Sequence, residues 1–225
     1  MNNFSLTPVA FARTDFSSKF GVPRQSGLVS DLVASIEFTS DFCAGEFTRG
    51  LNSFSHVWLI WGFSKNVGKW QPTVRPPRLN GNTRVGVFAS RSPFRPNSLG
   101  LSSVKLLEVT RGKLLVGGAD LVDGTPIFDI KPYVRTDVHE DANFSYATGA
   151  DYRMRVDMSE DALGDFPRAK VSALRGVLAE NPRPAIHDDP NRIYGFGFAG
   201  FEIKFRCEDG VVHLVETQRQ VAGEC

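Results

Sequence analysis

The chain has 225 residues, 41% of them apolar, and a formal net charge of +1. That length supports a substantial core, in one large domain or in a main domain with a smaller one beside it. The near balance of charge excludes whole-chain electrostatics as the means of holding a nucleic acid or a membrane, so any such partner must meet a local patch.

The three cysteines, Cys43, Cys207 and Cys225, form no close pair, which suits a reducing compartment better than a disulfide-stapled fold. The opening "MNNFSLTPVAFARTDF" has no basic stretch leading into an apolar one, and no run approaches membrane-spanning length, so the cytoplasm is the expected location and no membrane partner is expected. His56, His139, His187 and His213 are scattered, without a second His or Cys at ligand spacing, and no metal site is expected.

In chain order, "VPRQSGLVSD" is the first stiff basic segment, with Arg24 and Gln25 after Pro23. "SHVWLIWGF", Ser55 to Phe63, is a continuous apolar run that predicts a strand covered on both faces, with Trp58, Trp61 and Phe63 as core and His56 as a strand-end residue. "QPTVRPPRLNGNTR" is the second basic segment, carrying Arg75, Arg78 and Arg84. "RVGVFAS" and "GLSSVKLLEV" read as strands flanking the loop "RSPFRPNSLG". Pro93 and Pro96 fix their own φ and hold Ser92 and Arg95 extended, so Arg91 and Arg95 are presented as pre-ordered planar forks for a carboxylate or phosphate. The residues do not identify the anion. Together the three Pro-Arg segments predict the rim of a site for an extended anionic ligand.

In "KLLVGGADLVDGTPIFDIKPYV", Asp123-Gly124 stands between two apolar runs and predicts a hairpin. Asp120, Asp123 and Asp129 lie near Lys131 and Tyr133; structural and functional readings of these carboxylates are evenly matched. The polar, aperiodic "RTDVHEDANFSYATGAD" marks a boundary or long connection. Beyond it "DYRMRVDM" alternates as a half-buried strand. "FPRAKVSALRGVLAENP" predicts an amphipathic helix with Val171, Leu174, Val177 and Leu178 on one face, and "FEIKFRC" with "VVHLVET" predicts a hairpin turning at Asp209-Gly210. "GFGFAG", Gly195 to Gly200, matches a dinucleotide-binding pattern but is followed by a strand rather than a helix, so it is read as structural. The expected fold is mainly β: a barrel or sandwich, then a small α+β unit.

Several long stretches, "KFGVPRQSGLV", "LNSFSHVWLIWGF", "WQPTVRPPRL", "VGVFASRSPFRPNSLGLS", "LVDGTPIFDIKPYV" and "NPRPAIHDDPNRIYGF", occur in an order that resembles the TsaA/YaeB-like, or TrmO, family of tRNA methyltransferases. Ser98 and Leu99 depart from it, standing where the family commonly has Pro and Ile. The resemblance implies an N-terminal β-barrel over residues 1–145 that binds S-adenosylmethionine without a Rossmann sheet, and a small α+β domain over 146–225 that contacts tRNA. It implies methyl transfer to N6 of threonylcarbamoyladenosine beside the anticodon, by a homodimer. Carried onto this chain, it places cofactor binding at Ser26, Gly27, Leu28, Ser64, Lys65, Arg91, Leu101, Gly117, Gly118, Ala119 and Asp120. Asp123 or Asp129 is the expected proton acceptor, and Arg75, Arg78, Arg95, Arg183 and Tyr194 are the expected tRNA contacts. Two other readings stand beside it: a non-catalytic nucleic-acid-binding barrel, and a methyltransferase acting on another RNA or a small molecule.

Overall fold

The computed structural model describes residues 5–76, 79, 83–147, 153–183 and 189–220. Six antiparallel strands close into a barrel: β1 (Ala10–Arg13), β2 (Val33–Phe38), β3 (His56–Gly62), β6 (Leu99–Thr110), β7 (Lys113–Gly117) and β8 (Pro126–Pro132), in the order β1-β2-β7-β6-β3-β8. Two short strands, β4 (Thr73–Val74) and β5 (Val85–Gly86), pair outside it. Alternation along each strand sends every second side chain inward. Val57 and Leu59 of β3, Leu114 and Val116 of β7, and Ile127 of β8 fill the interior with Ala10 and Ala12 of β1. Small residues on one strand let bulkier ones on the facing strands occupy a narrow lumen.

A second cluster of buried side chains belongs to the C-terminal third. There β10 (Tyr194–Phe198), β11 (Phe201–Glu208), β12 (Val211–Arg219) and β9 (Arg155–Asp157) form a sheet in that order, with β9 parallel to β12. The short helix α1 (Glu160–Leu163) starts at Ser159, whose hydroxyl accepts from the Ala162 N–H. Helix α2 (Val171–Ala179) buries Ala173, Leu174, Val177 and Leu178, the apolar stripe expected of its periodicity.

The segment between β1 and β2 joins this second cluster rather than the barrel, burying Phe16, Val29 and Leu32 there. A Cβ added to Gly176 of α2 would lie 2.5 Å from Val29 Cγ1, so that glycine is the seat of the valine. Lys170 pairs with Asp15 at 2.6 Å, and Arg153 and Ser172 donate to the Leu28 carbonyl and to Asp31. Residues 14–32 are therefore held by the C-terminal unit while both their ends are tied into barrel strands.

The structure corrects three expectations. Strand β3 is not covered on both faces: Val57, Leu59 and Trp61 point inward, whereas Trp58 lies on the outside, its Nε1 donating to Asp137 at 2.8 Å. "RVGVFAS" is a two-residue strand followed by a 3-10 turn at Val87–Ala89, because the chain must turn into the proline-stiffened loop. Asp123-Gly124 does not close a hairpin, since β7 already has β2 and β6 on its two edges and β8 pairs with β1 and β3. Its turn crosses the barrel mouth instead, and the N–H groups of Asp123 and Gly124 reach the carbonyls of Phe16 and Ala12, each at 2.8 Å.

The Asp209-Gly210 hairpin joins β11 to β12 as expected. In "GFGFAG", Ala199-Gly200 is the positive-φ turn of the β10-β11 hairpin, which leaves the glycine pattern structural.

Candidate active site

Past the end of β7 the chain leaves the sheet as Gly118-Ala119-Asp120, running beside β6. Gly118 takes φ +73°, which a side chain tolerates poorly, and a Cβ there would come within 3.2 Å of Gly27 Cα. The Gly27 N–H donates to the Gly118 carbonyl at 2.8 Å. Two glycines thus let the segment 26–28 lie against the segment 117–120, so distant parts of the sequence share one wall.

Asp120 is the charged centre of this wall. Its Oδ1 accepts from Ser102 Oγ at 2.6 Å, and Ser102 Oγ accepts from Trp61 Nε1 at 2.9 Å, a chain that runs from the barrel interior to its rim. Burial raises the Asp120 pKa above the usual carboxylate value; the Ser102 hydroxyl, the Arg91 guanidinium and the Ser26 backbone N–H oppose that rise by favouring the anion. Arg91 is exposed and donates to Gln25 Oε1 at 2.6 Å, so the proline-stiffened loop and the 24–28 segment meet through this pair. The site therefore offers an exposed cation and a hydrogen-bonded carboxylate that feels its charge, next to a close backbone approach at Gly118. This donor set suits a ligand that carries both an anionic group, for Arg91, and a hydrogen-bond donor, for Asp120.

Of the residues expected at the cofactor, Ser26, Gly27, Arg91, Gly118 and Asp120 are brought together. Gly117 ends β7 opposite Lys105, Ala119 is buried, and the Leu28 carbonyl accepts from Arg153. Leu101 stands on the outer face of β6, 52% exposed, one position before Ser102. Ser64 and Lys65 form the exposed turn after β3, where Phe63 packs edge-on against Trp61 at 4.3 Å and its N–H donates to the Ser98 carbonyl.

The two candidate proton acceptors have different surroundings. Asp123 Oδ1 accepts from the Thr14 N–H at 3.0 Å and its other oxygen is 4.0 Å from Arg13, so it caps the end of β1. Asp129 pairs with Lys131 at 3.0 Å. In the strand register Ile60 of β3 faces Leu101 on one side and Asp129 on the other, which places Leu101, Ile60 and Asp129 in one row on the barrel exterior.

Among the expected RNA contacts, Arg75 is exposed after β4, and Arg78 lies outside the described residues. Arg95 is a brace: its Nη1 donates to the carbonyls of Ser90 at 2.7 Å and Val87 at 3.1 Å. Arg183 lines a cleft beside α2. Tyr194 is 8% exposed, its ring stacking on Phe205 within the second cluster while Arg192 lies over the ring. Sequence reasoning missed Ser102 and Gln25, which orient Asp120 and Arg91. A polar residue at an inward position of β6 was the available signal for Ser102.

A closed six-stranded barrel with Arg91 and Asp120 at its rim defines a mainly β, non-Rossmann barrel protein. Comparison with known proteins narrows this class. The tRNA-methyltransferase O N-terminal domain matches residues 11–137 and the TrmO C-terminal domain matches residues 151–220. The chain is 38% identical to the tRNA (adenine(37)-N6)-methyltransferase of Escherichia coli strain K12, with 93% of this chain and 95% of that protein covered. It is 43% identical to a Pseudomonas aeruginosa protein named "Putative S-adenosylmethionine-dependent methyltransferase RcsF", over 84% of this chain and 80% of that one. A crystal structure of TrmO from Pseudomonas aeruginosa superposes with a TM-score of 0.81 at 29% identity, covering 96% of this chain and 99% of that one. The chain belongs to the tRNA-methyltransferase O family.

Proposed function

We propose that this protein is an S-adenosylmethionine-dependent tRNA (adenine(37)-N6)-methyltransferase whose acceptor is N6 of threonylcarbamoyladenosine (t6A), giving the N6-methylated product m6t6A. The observation that carries the reading is the Arg91–Asp120 arrangement at the Gly27–Gly118 contact, whose charges and glycine backing suit the amino acid end and ribose of the cofactor. Bound there, S-adenosylmethionine supplies an electrophilic methyl group: its C–S bond breaks as the N6–C bond forms, leaving neutral sulfur and a proton to be removed from N6.

Arg91, held by Gln25, orients the carboxylate, and Asp120, held by Ser102, orients the amine or ribose hydroxyl. Leu28 and Leu101 flank the adenine. Positioning in line is the main contribution such a site makes to methyl transfer. Asp129, which shares an exterior row with Leu101 and pairs with Lys131, takes the N6 proton; Asp123 lies away from that row, at the end of β1. Arg75 and Arg183 contact phosphates. Residues 1–145 form the cofactor domain and 146–225 the RNA-contacting one. The protein works in the cytoplasm as a homodimer, and exposed apolar side chains such as Phe88, in the turn after β5, support a covering partner.

The test is methyl incorporation from labelled S-adenosylmethionine into tRNA with and without the threonylcarbamoyl group. Transfer only to the modified tRNA is expected. Equal transfer to both would remove t6A as the substrate, and tRNA binding with no heat from S-adenosylmethionine in calorimetry would leave a non-catalytic RNA-binding barrel.

A further inference from the structure

A cleft of about 220 Å³ lies between residues 19–24 and the end of α2, walled by Lys19, Phe20, Arg24, Glu180, Asn181 and Arg183 among others. We propose that it is a second RNA subsite, which takes one unstacked base and its flanking phosphates away from the methylated nucleoside. The proposal rests on the reading above that RNA is the substrate.

Two features point to a nucleotide. Charge is the first: Lys19 and Arg24 line the cleft with Arg183, and the one carboxylate among the described lining residues, Glu180, is engaged by Arg153 at 3.2 Å. The second is an aromatic surface, because Phe20 is 56% exposed and the Lys19 ammonium sits 5.8 Å from its ring centroid. A phenyl ring left in water beside a cation is a platform for a base of any sequence. The volume accommodates a base rather than a folded element.

The cleft is preformed. Gly21 takes φ +82° and is pressed so closely on Phe196 that a Cβ would lie 2.3 Å from its ring, and Pro23 is buried. Arg24 immediately precedes Gln25, the partner of Arg91. One short segment therefore has the cleft on one side and the candidate cofactor wall on the other, so RNA seated in the cleft is registered relative to the methyl donor.

The experiment uses the full chain and purified tRNA, with Lys19→Ala/Arg24→Ala/Arg183→Ala and Phe20→Leu as variants. Binding is measured by filter retention across a salt series, with S-adenosylmethionine affinity and melting temperature as folding controls. The triple variant is expected to flatten the slope of log affinity against log salt by about 2 to 3. Phe20→Leu is expected to lose about 5- to 150-fold in affinity with the slope unchanged. Parental tRNA binding by both folded variants would overturn the proposal. So would a triple variant that loses affinity for a labelled polyglutamate peptide while keeping tRNA, since the cleft would then be a protein-docking site. Failure of the functional reading is separate: a parent that binds tRNA in the cleft and transfers no methyl refutes the enzyme and leaves the subsite standing.

Discussion

Ser102 Oγ donates to Asp120 Oδ1 at 2.6 Å while accepting from Trp61 Nε1, so an indole inside the barrel orients a carboxylate at its rim. Ser102→Ala leaves both neighbours short of a partner in a buried setting and is expected to cost about 1–3 kcal/mol in urea unfolding. It also removes the largest influence holding the Asp120 pKa down, so that pKa rises further.

The pH dependence of Asp120 follows from its raised pKa. Between the ordinary value of 3.8 and the higher folded value, the native state holds more protons than the unfolded chain, so this group's contribution to stability falls as pH rises through that window. Asp120→Asn is therefore expected to be more stable than the parent at neutral pH, with the difference closing as pH falls toward 3.8. Its S-adenosylmethionine affinity is expected to fall. Paired melts across pH and calorimetry check both; a variant less stable at pH 7 than the parent contradicts the burial account.

Gly118→Ala and Gly27→Ala separate backbone conformation from close approach. Both glycines have positive φ, but only a Cβ on Gly118 meets the opposing segment, at 3.2 Å from Gly27, whereas one on Gly27 meets nothing within 4 Å. Each is expected to lose about 1–2 kcal/mol through the left-handed backbone. Gly118→Ala alone is expected to lose cofactor affinity by tenfold or more, roughly the effect of another 1.4 kcal/mol.

A Cβ on Gly100 would lie 2.4 Å from the Trp61 ring. Gly100→Ala must displace the indole and break its bond to Ser102. A loss of about 1–3 kcal/mol is expected from overpacking, together with a shift in tryptophan emission that Gly27→Ala does not produce.

Arg75 and Arg95 are expected to behave differently toward tRNA. Arg75→Ala should lower affinity and reduce the salt slope by about 0.7 to 0.9 with no change in melting temperature. Arg95→Ala removes the grip on the Ser90 and Val87 carbonyls, so faster amide exchange across residues 87–98 should accompany any loss of activity. Arg95→Lys, which keeps the charge without the planar fork, should not restore protection.

The local signals in the sequence were readable where one strand or helix decides its own pattern. Alternation in "FEIKFRC", the stripe of α2 and the Asp209-Gly210 turn all appear as expected, because each depends on neighbours within a few residues. Asp123-Gly124 looked the same locally and became a cross-barrel connection, because the edges of β7 were taken by strands far away in sequence. Arg91 was readable as an anion-gripping fork from proline geometry, and its placement with Asp120 at a cofactor came from the resemblance; their partners Gln25 and Ser102 became visible only when four chain segments met.

The amino acid sequence by itself determined a β-rich first part, an α+β last part, a stiff arginine loop and membership of a recognisable family, since these reside in short-range periodicity, proline geometry and ordered motifs. The tertiary structure decided which carboxylate is buried beside a cation, that Arg95 braces while Tyr194 is core, and that residues 14–32 belong to the C-terminal packing. Those outcomes depend on burial and on contacts between residues far apart in the chain, and only closure of the barrel and docking of the segment create them.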